Sequence, residues 1–224
     1  PEIRRRWLEG AAVSEPDADL PAAGAESALP LGQLVRARAG WPEEPPLLTF
    51  VGHDAAGGYA VSQRHYASLW RRGQAIARAL AARGVARGDR FALQMQNHAE
   101  FADAVVASAI LGTVFVPIDP RTRGKKLQYM LDAVGCKGVI AGVYCLDALR
   151  EVVDEAPSVG WVLLVGPRDP ARTLPTRTEW LDDVTASDGP ELPVAGDRPD
   201  MPMQMMFTSG TTGQPKGYRR THQS

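Results

Sequence analysis

The sequence predicts an α/β fold: alternating βαβ units forming a largely parallel sheet flanked by helices. Three observations lead there. Between positions 91 and 165, short apolar runs of strand character alternate with segments of helical period, the pattern of parallel strands joined by crossover helices of about 10 to 15 residues. Glycine stands directly behind two of the helical segments, at Gly112 and Gly135, where a helix is expected to stop. The composition, 44% hydrophobic and 23% charged, is that of an ordinary globular chain and excludes wholesale disorder. With 224 residues the chain is long enough to bury a sizeable core.

Each element follows from local pattern. Residues 1–28 are rich in Ala, Pro, Glu and Asp without a sustained apolar period, and are read as a loosely ordered lead-in. Leu31, Leu34 and Val35 have helical spacing, ended by Trp41-Pro42 and Pro45-Pro46. The apolar runs 47–51 and 59–61 flank a turn containing Asp54, Gly57 and Gly58, so a hairpin is expected. Ser62 is the expected N-cap of the next helix, which carries Tyr66, Leu69, Trp70, Gly73, Ile76, Ala77 and Leu80 and ends at Gly84. Its Arg71, Arg72, Arg78 and Arg83 are assigned to a solvated face. Strands are then expected at 91–96, 113–118, 137–141 and 161–165, with helices at 98–111, 125–134 and 145–153. The proline-rich stretch 166–202 reads as a long surface connection with a helical turn or two at 178–184. Residues 203–207 read as a buried strand, with Met201, Met203, Met205 and Met206 packing a core.

Several function classes drop out. Lys and Arg number 25 against 26 Asp and Glu, so the chain lacks the basic excess of a nucleic-acid binder. Its five tryptophans are scattered and form no stacking stripe. Cys136 and Cys145 make neither a C-x-x-C pair nor a zinc-ligand spacing and are expected to be buried thiols. His53, His65 and His98 have no ligand spacing either. Arg4, Arg5 and Arg6 are followed by no apolar signal region. The most apolar stretch, 101–118, is interrupted by Asp103, Gly112 and Pro117, so no membrane span is expected. A soluble, cytoplasmic protein is the default expectation.

One segment concentrates chemistry: Phe207-Thr208-Ser209-Gly210-Thr211-Thr212-Gly213-Gln214-Pro215-Lys216-Gly217. Thr208, Ser209, Thr211 and Thr212 offer four hydroxyls. Gly210, Gly213 and Gly217 permit close approach of a ligand to the backbone, and successive N–H groups in such a loop form an anion-binding nest. Lys216 adds a mobile positive charge. The apolar strand in front places the loop at the carboxyl end of a sheet, where open α/β sheets bind ligands. The segment suits a polyphosphate. It is not a Walker A loop, because Gln214 and Pro215 separate Gly213 from Lys216 and Gly217 follows the lysine.

This string resembles the phosphate-binding signature of the adenylate-forming (AMP-binding) superfamily, which includes acyl-CoA synthetases, nonribosomal-peptide adenylation domains and luciferases. Thr221-His222 matches the Thr/Ser-His pair that follows the signature. Upstream, residues 59–69, Gly84-Val85 with Gly88-Asp89-Arg90, and Leu111-Gly112-Thr113-Val114-Phe115-Val116-Pro117 are similar to further stretches of the family. The likeness covers roughly 29 to 222. It departs at Tyr218, Arg219 and Arg220, where a small aliphatic residue usually follows the Pro-Lys-Gly, and at Ser224, where Asn is common. These departures bear on the packing of the segment after the loop, taken as a helix.

The resemblance implies an acyl-CoA synthetase: ATP-dependent conversion of a carboxylic acid to an acyl-adenylate, then thioester formation with coenzyme A. It implies that Thr208, Ser209, Gly210, Thr211, Thr212, Gly213, Gln214 and Lys216 bind the ATP phosphates, that Lys216 is catalytic, and that Thr208 approaches Mg2+. His222 is implied near the acyl pocket; a helix-capping or packing histidine is the other reading of that residue. Residues 29–224 would form the first part of an AMP-binding N-terminal domain, the remainder and a C-terminal lid lying beyond. On that reading the 224 residues alone are expected to be poorly soluble and inactive. An adenylation domain loading a carrier protein and a non-catalytic nucleotide-binding module are the alternatives. A homodimer is left open.

Overall fold

The computed structural model describes residues 29–41, 46–53, 57–171, 173–208 and 215–222. The lead-in expected at 1–28 lies outside the described residues. Helix α1 (Leu31–Arg38) is followed by a hairpin of β1 (Leu48–His53) and β2 (Tyr59–Arg64), then by α2 (Tyr66–Ala82). An alternating series follows: β3 (Arg90–Gln94), α3 (Ala99–Leu111), β4 (Val114–Pro117), α4 (Gly124–Val134), β5 (Cys136–Gly142), α5 (Leu146–Arg150) and β6 (Trp161–Val165). The chain continues through β7 (Thr178–Trp180), α6 (Leu181–Thr185), β8 (Pro202–Thr208) and β9 (Lys216–Thr221).

β1 and β2 pair antiparallel as a separate two-stranded sheet, with Leu48 opposite Arg64 and His53 opposite Tyr59. The other seven strands form one sheet in the order β7-β6-β5-β3-β4-β8-β9. Every neighbouring pair in it is parallel except β8 and β9. The fold is therefore the α/β arrangement expected, with one antiparallel strand at an edge.

Strand alternation divides the core into two layers. Phe91, Leu93, Ile140, Trp161 and Leu163 pack on one face with residues of α1, α2, α3 and α6, including Val35, Leu80, Ile110 and Leu181. Ala92, Val139, Ala141, Val162 and Leu164 face the opposite side, against Leu127 and Leu131 of α4 and Leu146 and Leu149 of α5. Strands covered on both sides read as continuous apolar runs. Each fully buried Leu or Phe stabilises the fold by about 1.5–3 kcal/mol relative to exposure. Gly112 and Gly135 end α3 and α4 in the left-handed conformation, at φ 65° and 60°, which a Cβ would oppose. Among the described residues, no helix is long and apolar enough to cross a membrane.

Four expectations are corrected. Ser62 is not an N-cap: β2 runs on to Arg64, whose side chain is held by Asp103. His65 caps α2 instead, in a capping box with Ser68; the His65 N–H donates to Ser68 Oγ at 2.9 Å. The arginines of α2 divide. Arg71 and Arg72 are exposed, but Arg78 and Arg83 are half-buried. Arg78 donates to the Pro190 carbonyl at 3.4 Å, and Arg83 donates to the Ala79 carbonyl and forms an ion pair with Glu179.

The stretch 166–202 is more than a surface connection. Residues 178–180 form β7, which joins the sheet parallel to β6, and only 181–185 are helical. Further on, Leu192 exchanges two hydrogen bonds with the Gln74 side chain, at 2.8 and 3.0 Å. The N–H groups of Ala195 and Gly196 donate to the carbonyls of Ile110 and Ala109 at the end of α3. These bonds satisfy carbonyls that a helix terminus leaves free. Finally, β8 is half-buried rather than buried. Met201 is in the core, Met203 and Met205 pack at its margin, and Met206 is 37% exposed.

Candidate functional site

The two ends of the signature segment belong to β8 and β9, which pair antiparallel. β8 lies parallel to β4 with Gln204 opposite Phe115, so its last residue, Thr208, points to the same edge as the carboxyl ends of β3 to β6. Open α/β sheets hold their ligands at that edge. Ser209, Gly210, Thr211, Thr212, Gly213 and Gln214 lie outside the described residues. The two stems are described. Thr208 stands opposite Lys216 in the antiparallel register, and its hydroxyl donates to the Lys216 carbonyl at 3.5 Å. Both residues are exposed, so the Lys216 ammonium is open to solvent at the mouth of the loop.

The segment after the loop is a strand, not the helix expected. Gly217, Tyr218, Arg219 and Arg220 of β9 pair with Phe207, Met206, Met205 and Gln204. Tyr218, the departure from a small aliphatic residue, is accommodated because its side chain is 57% exposed on this edge strand. A Cβ at Gly217 would stand 3.5 Å from Met205 Sδ, an ordinary van der Waals contact.

The structure brings Thr208 and Lys216 together and places His222 elsewhere. His222 follows the far end of β9, where Thr221 pairs with Pro202. Five residues of β9 separate it from Lys216, and the six steps of chain span roughly 20 Å at about 3.3 Å each. There the His222 ring is half-buried. Its Nδ1 accepts the Leu31 N–H at 3.4 Å, at the first residue of α1. Its Nε2 lies 3.4 Å from the position a Cβ on Gly196 would occupy. Burial lowers its pKa below the ordinary value, as desolvation does for a cationic imidazole. These contacts are those of the helix-capping and packing reading.

Other polar groups share the loop's edge of the sheet. After β4, Arg121 donates to both Asp119 oxygens, at 3.0 and 2.7 Å, and this bonding pulls the exposed Asp119 carboxyl down to about 2. After β5, the Tyr144 hydroxyl accepts the Gln96 N–H at 2.6 Å and bonds His98 Nε2 at 3.0 Å. Sequence reading missed this pair because 46 residues separate its members and no motif joins them; strand order alone makes them neighbours.

Cys136 and Cys145 are free and buried, and burial pushes their thiols up to about 12 and about 11. Neither is a thiolate nucleophile at neutral pH. Among the described residues, no group of His, Cys, Asp and Glu could hold a metal ion. Thr208 supplies one hard oxygen. That suits a magnesium ion carried mainly by phosphate oxygens and water rather than by a protein cage.

Comparison with known proteins places this geometry. The AMP-binding enzyme family model matches residues 47–224. A long-chain-fatty-acid–CoA ligase of Mycobacterium tuberculosis is 36% identical over 149 residues, which cover 65% of this chain and 27% of that protein. A 4-coumarate–CoA ligase of Oryza sativa subsp. japonica is 32% identical over 216 residues, covering 93% of this chain and 36% of that one. Among solved structures, the adenylation domain of a carboxylate reductase from Mycobacterium chelonae superposes with a TM-score of 0.71 at 26% identity. The match covers 99% of this chain and 40% of that chain. The chain thus spans roughly a quarter to two fifths of the length of these proteins.

Proposed function

Because the chain belongs to the AMP-binding enzyme family, we propose that it is part of an acid–thiol ligase that activates a carboxylic acid with ATP and passes the acyl group to coenzyme A. The observation that carries this reading is the string 207–217, whose described stems Thr208 and Lys216 stand opposite each other at the carboxyl edge of a parallel sheet, where open α/β sheets hold their ligands. Homologous CoA ligases of two substrate classes support it.

In the first step a carboxylate oxygen attacks the α-phosphorus of ATP. The bond from that phosphorus to the bridging oxygen breaks, and pyrophosphate leaves with its electron pair. In the second, the thiol sulfur attacks the acyl carbon, AMP departs, and the thiol proton is lost. Such chemistry depends on positioning and charge neutralisation more than on covalent help from the protein. In this reading the N–H and hydroxyl groups of Ser209, Gly210, Thr211, Thr212, Gly213 and Gln214 bind the β- and γ-phosphates. Lys216 neutralises charge on the departing pyrophosphate. Magnesium supplies further neutralisation when bound, with the Thr208 hydroxyl as the protein oxygen offered to it.

An adenylation domain that loads a carrier protein is the second reading. The near-complete coverage of this chain by an adenylation domain of a carboxylate reductase favours it. Both readings share the first step, and ATP–pyrophosphate exchange tests that step. Lys216→Ala is expected to lower exchange by about 10²-fold, the loss typical of removing one charge-stabilising group, with the thermal midpoint unchanged. Exchange at the wild-type rate in that variant rejects the role given to Lys216. These rates are read in the complete enzyme of which this chain is part; a complete wild-type enzyme that catalyses no exchange with any of a panel of carboxylic acids favours a nucleotide-binding module without catalysis.

A further inference from the structure

Several contacts hold the β8–β9 hairpin to the body of the protein: β8 pairs with β4 through Gln204 and Phe115, and Met203, Met205 and Phe207 pack against the core. A further contact lies at the end away from the loop, where His222 meets α1. The first helical N–H groups of any α-helix lack an intrahelical acceptor, and α1 begins after Pro30 with no side-chain cap from its own N-terminal residue. His222 reaches the Leu31 N–H across 191 residues of sequence. The same ring closes over Gly196, whose N–H is bonded to Ala109 at the end of α3. One imidazole thus joins β9, the start of α1 and the segment that caps α3.

We propose that His222 is a positioning residue whose uncharged imidazole clamps the base of the β8–β9 hairpin to α1 and so fixes the loop at the hairpin's other end. The functional half of this proposal rests on reading that loop as the phosphate-binding loop; the clamp itself does not.

The proton count sets a condition. An Nδ1 that accepts the Leu31 N–H must be unprotonated, so the neutral ring carries its proton on Nε2. A second proton on Nδ1 replaces the acceptor with a donor aimed at another donor, and the clamp opens. The charged groups on the elements packed around the ring are Arg36 and Arg38 of α1, Lys216, Arg219 and Arg220 of β9, and the pairs Arg87–Asp197 and Arg198–Asp200 at the segment 197–200. Burial holds the ring's pKa below its ordinary value, so the clamp is closed at neutral pH. The sign follows: the unfolded chain binds the proton first. The stabilisation is complete above the ordinary histidine value of about 6.5 and is lost as the pH falls through the lower folded value.

The experiment compares wild type with His222→Asn and His222→Phe, reading hydrogen exchange at the amides of Leu31, Met206 and Tyr218 together with ATP affinity, between neutral and mildly acidic pH. The Oδ1 of Asn stands where Nδ1 does and does not titrate in this range. Phe fills the space without an acceptor. In wild type, protection at Leu31, corrected for intrinsic exchange, is expected to fall up to about tenfold on acidification, the scale of one net hydrogen bond. His222→Asn keeps its protection across the range. His222→Phe shows the low value throughout, and Met206, Tyr218 and ATP affinity follow the same pattern.

Equal and pH-independent protection of Leu31 in wild type and His222→Phe overturns the clamp. A response at Leu31 with none at Met206 or Tyr218 overturns the positioning of the hairpin. If all three amides follow the pattern while wild type binds no ATP at any pH, the clamp stands and the phosphate-loop reading fails. If ATP binds but its affinity ignores both pH and variant, the functional half of the proposal fails.

Discussion

Asp103 is completely buried on α3, and Arg64 at the end of β2 is nearly so. The guanidinium donates three N–H contacts to the carboxylate, at 3.0, 3.3 and 3.0 Å. Burial pushes the Asp103 carboxyl above its ordinary range, while bonding to Arg64 and the charge of Arg72 pull it back. Such a pair is weak evidence for stability as a pair, since desolvation offsets attraction, but breaking one half leaves an uncompensated charge. Asp103→Ala is therefore expected to destabilise the protein by about 3–5 kcal/mol, read as a shift of the urea midpoint. Changing both residues together to leucine should recover most of the loss. A single substitution within 1 kcal/mol of wild type would show that Arg64 escapes to solvent. Ser62 misled because the ladder with β1 continues past it: Ser62, Gln63 and Arg64 pair with Phe50, Thr49 and Leu48, and this pairing overrides the local N-cap signal.

On β5, Gly138 lies flat beneath the Trp161 ring of β6, and a Cβ there would stand 2.1 Å from Trp161 Cδ2. The obstacle is a large side chain fixed in the core, not a flexible tip. Gly138→Ala is expected to cost about 1–3 kcal/mol through overpacking and to change the tryptophan fluorescence; an unchanged melting temperature would mean that the indole moves aside freely. Elements of this central kind were legible. The 91–165 series obeys its own periods, and Gly112 and Gly135 mark real helix ends, so β3 to β6 and α3 to α5 fall within a few residues of their expected places. β7 was not legible, because three residues in a proline-rich stretch become a strand only by pairing with β6. β9 was read as a helix for a related reason: its conformation is set by its pairing with β8. Of the candidate site, the string around Thr208 and Lys216 was legible because its chemistry is contiguous. The partner of His222 was not, since it lies at the other end of the described chain.

Among the described residues, a seven-stranded sheet with apolar layers on both faces lies beside the two-stranded β1–β2 sheet, and both cysteines sit in the layer beneath α4 and α5. Their raised pKa values and burial make them reporters of global opening. Alkylation of Cys136 and Cys145 in native buffer at pH 7 is expected to be slow at both sites. Its rate should rise with urea along the slope of global unfolding, and fast native labelling of either thiol would show that this layer opens on its own. The strand order carries a consequence for how the molecule comes into being. β5 and β6 share five register pairs, whereas β8 joins β4 through Phe115 and Gln204. All the elements from α4 to α6 come between those two residues in the chain. Closing so long an interval carries an entropic cost that the shorter crossovers do not face. A chain emerging during synthesis completes β3 to β7 before β8 exists, so β4 presents a finished edge as a template. The hairpin that carries the Thr-Ser-Gly string therefore has an edge to dock onto whose neighbouring strands β3 to β7 all precede it in the chain.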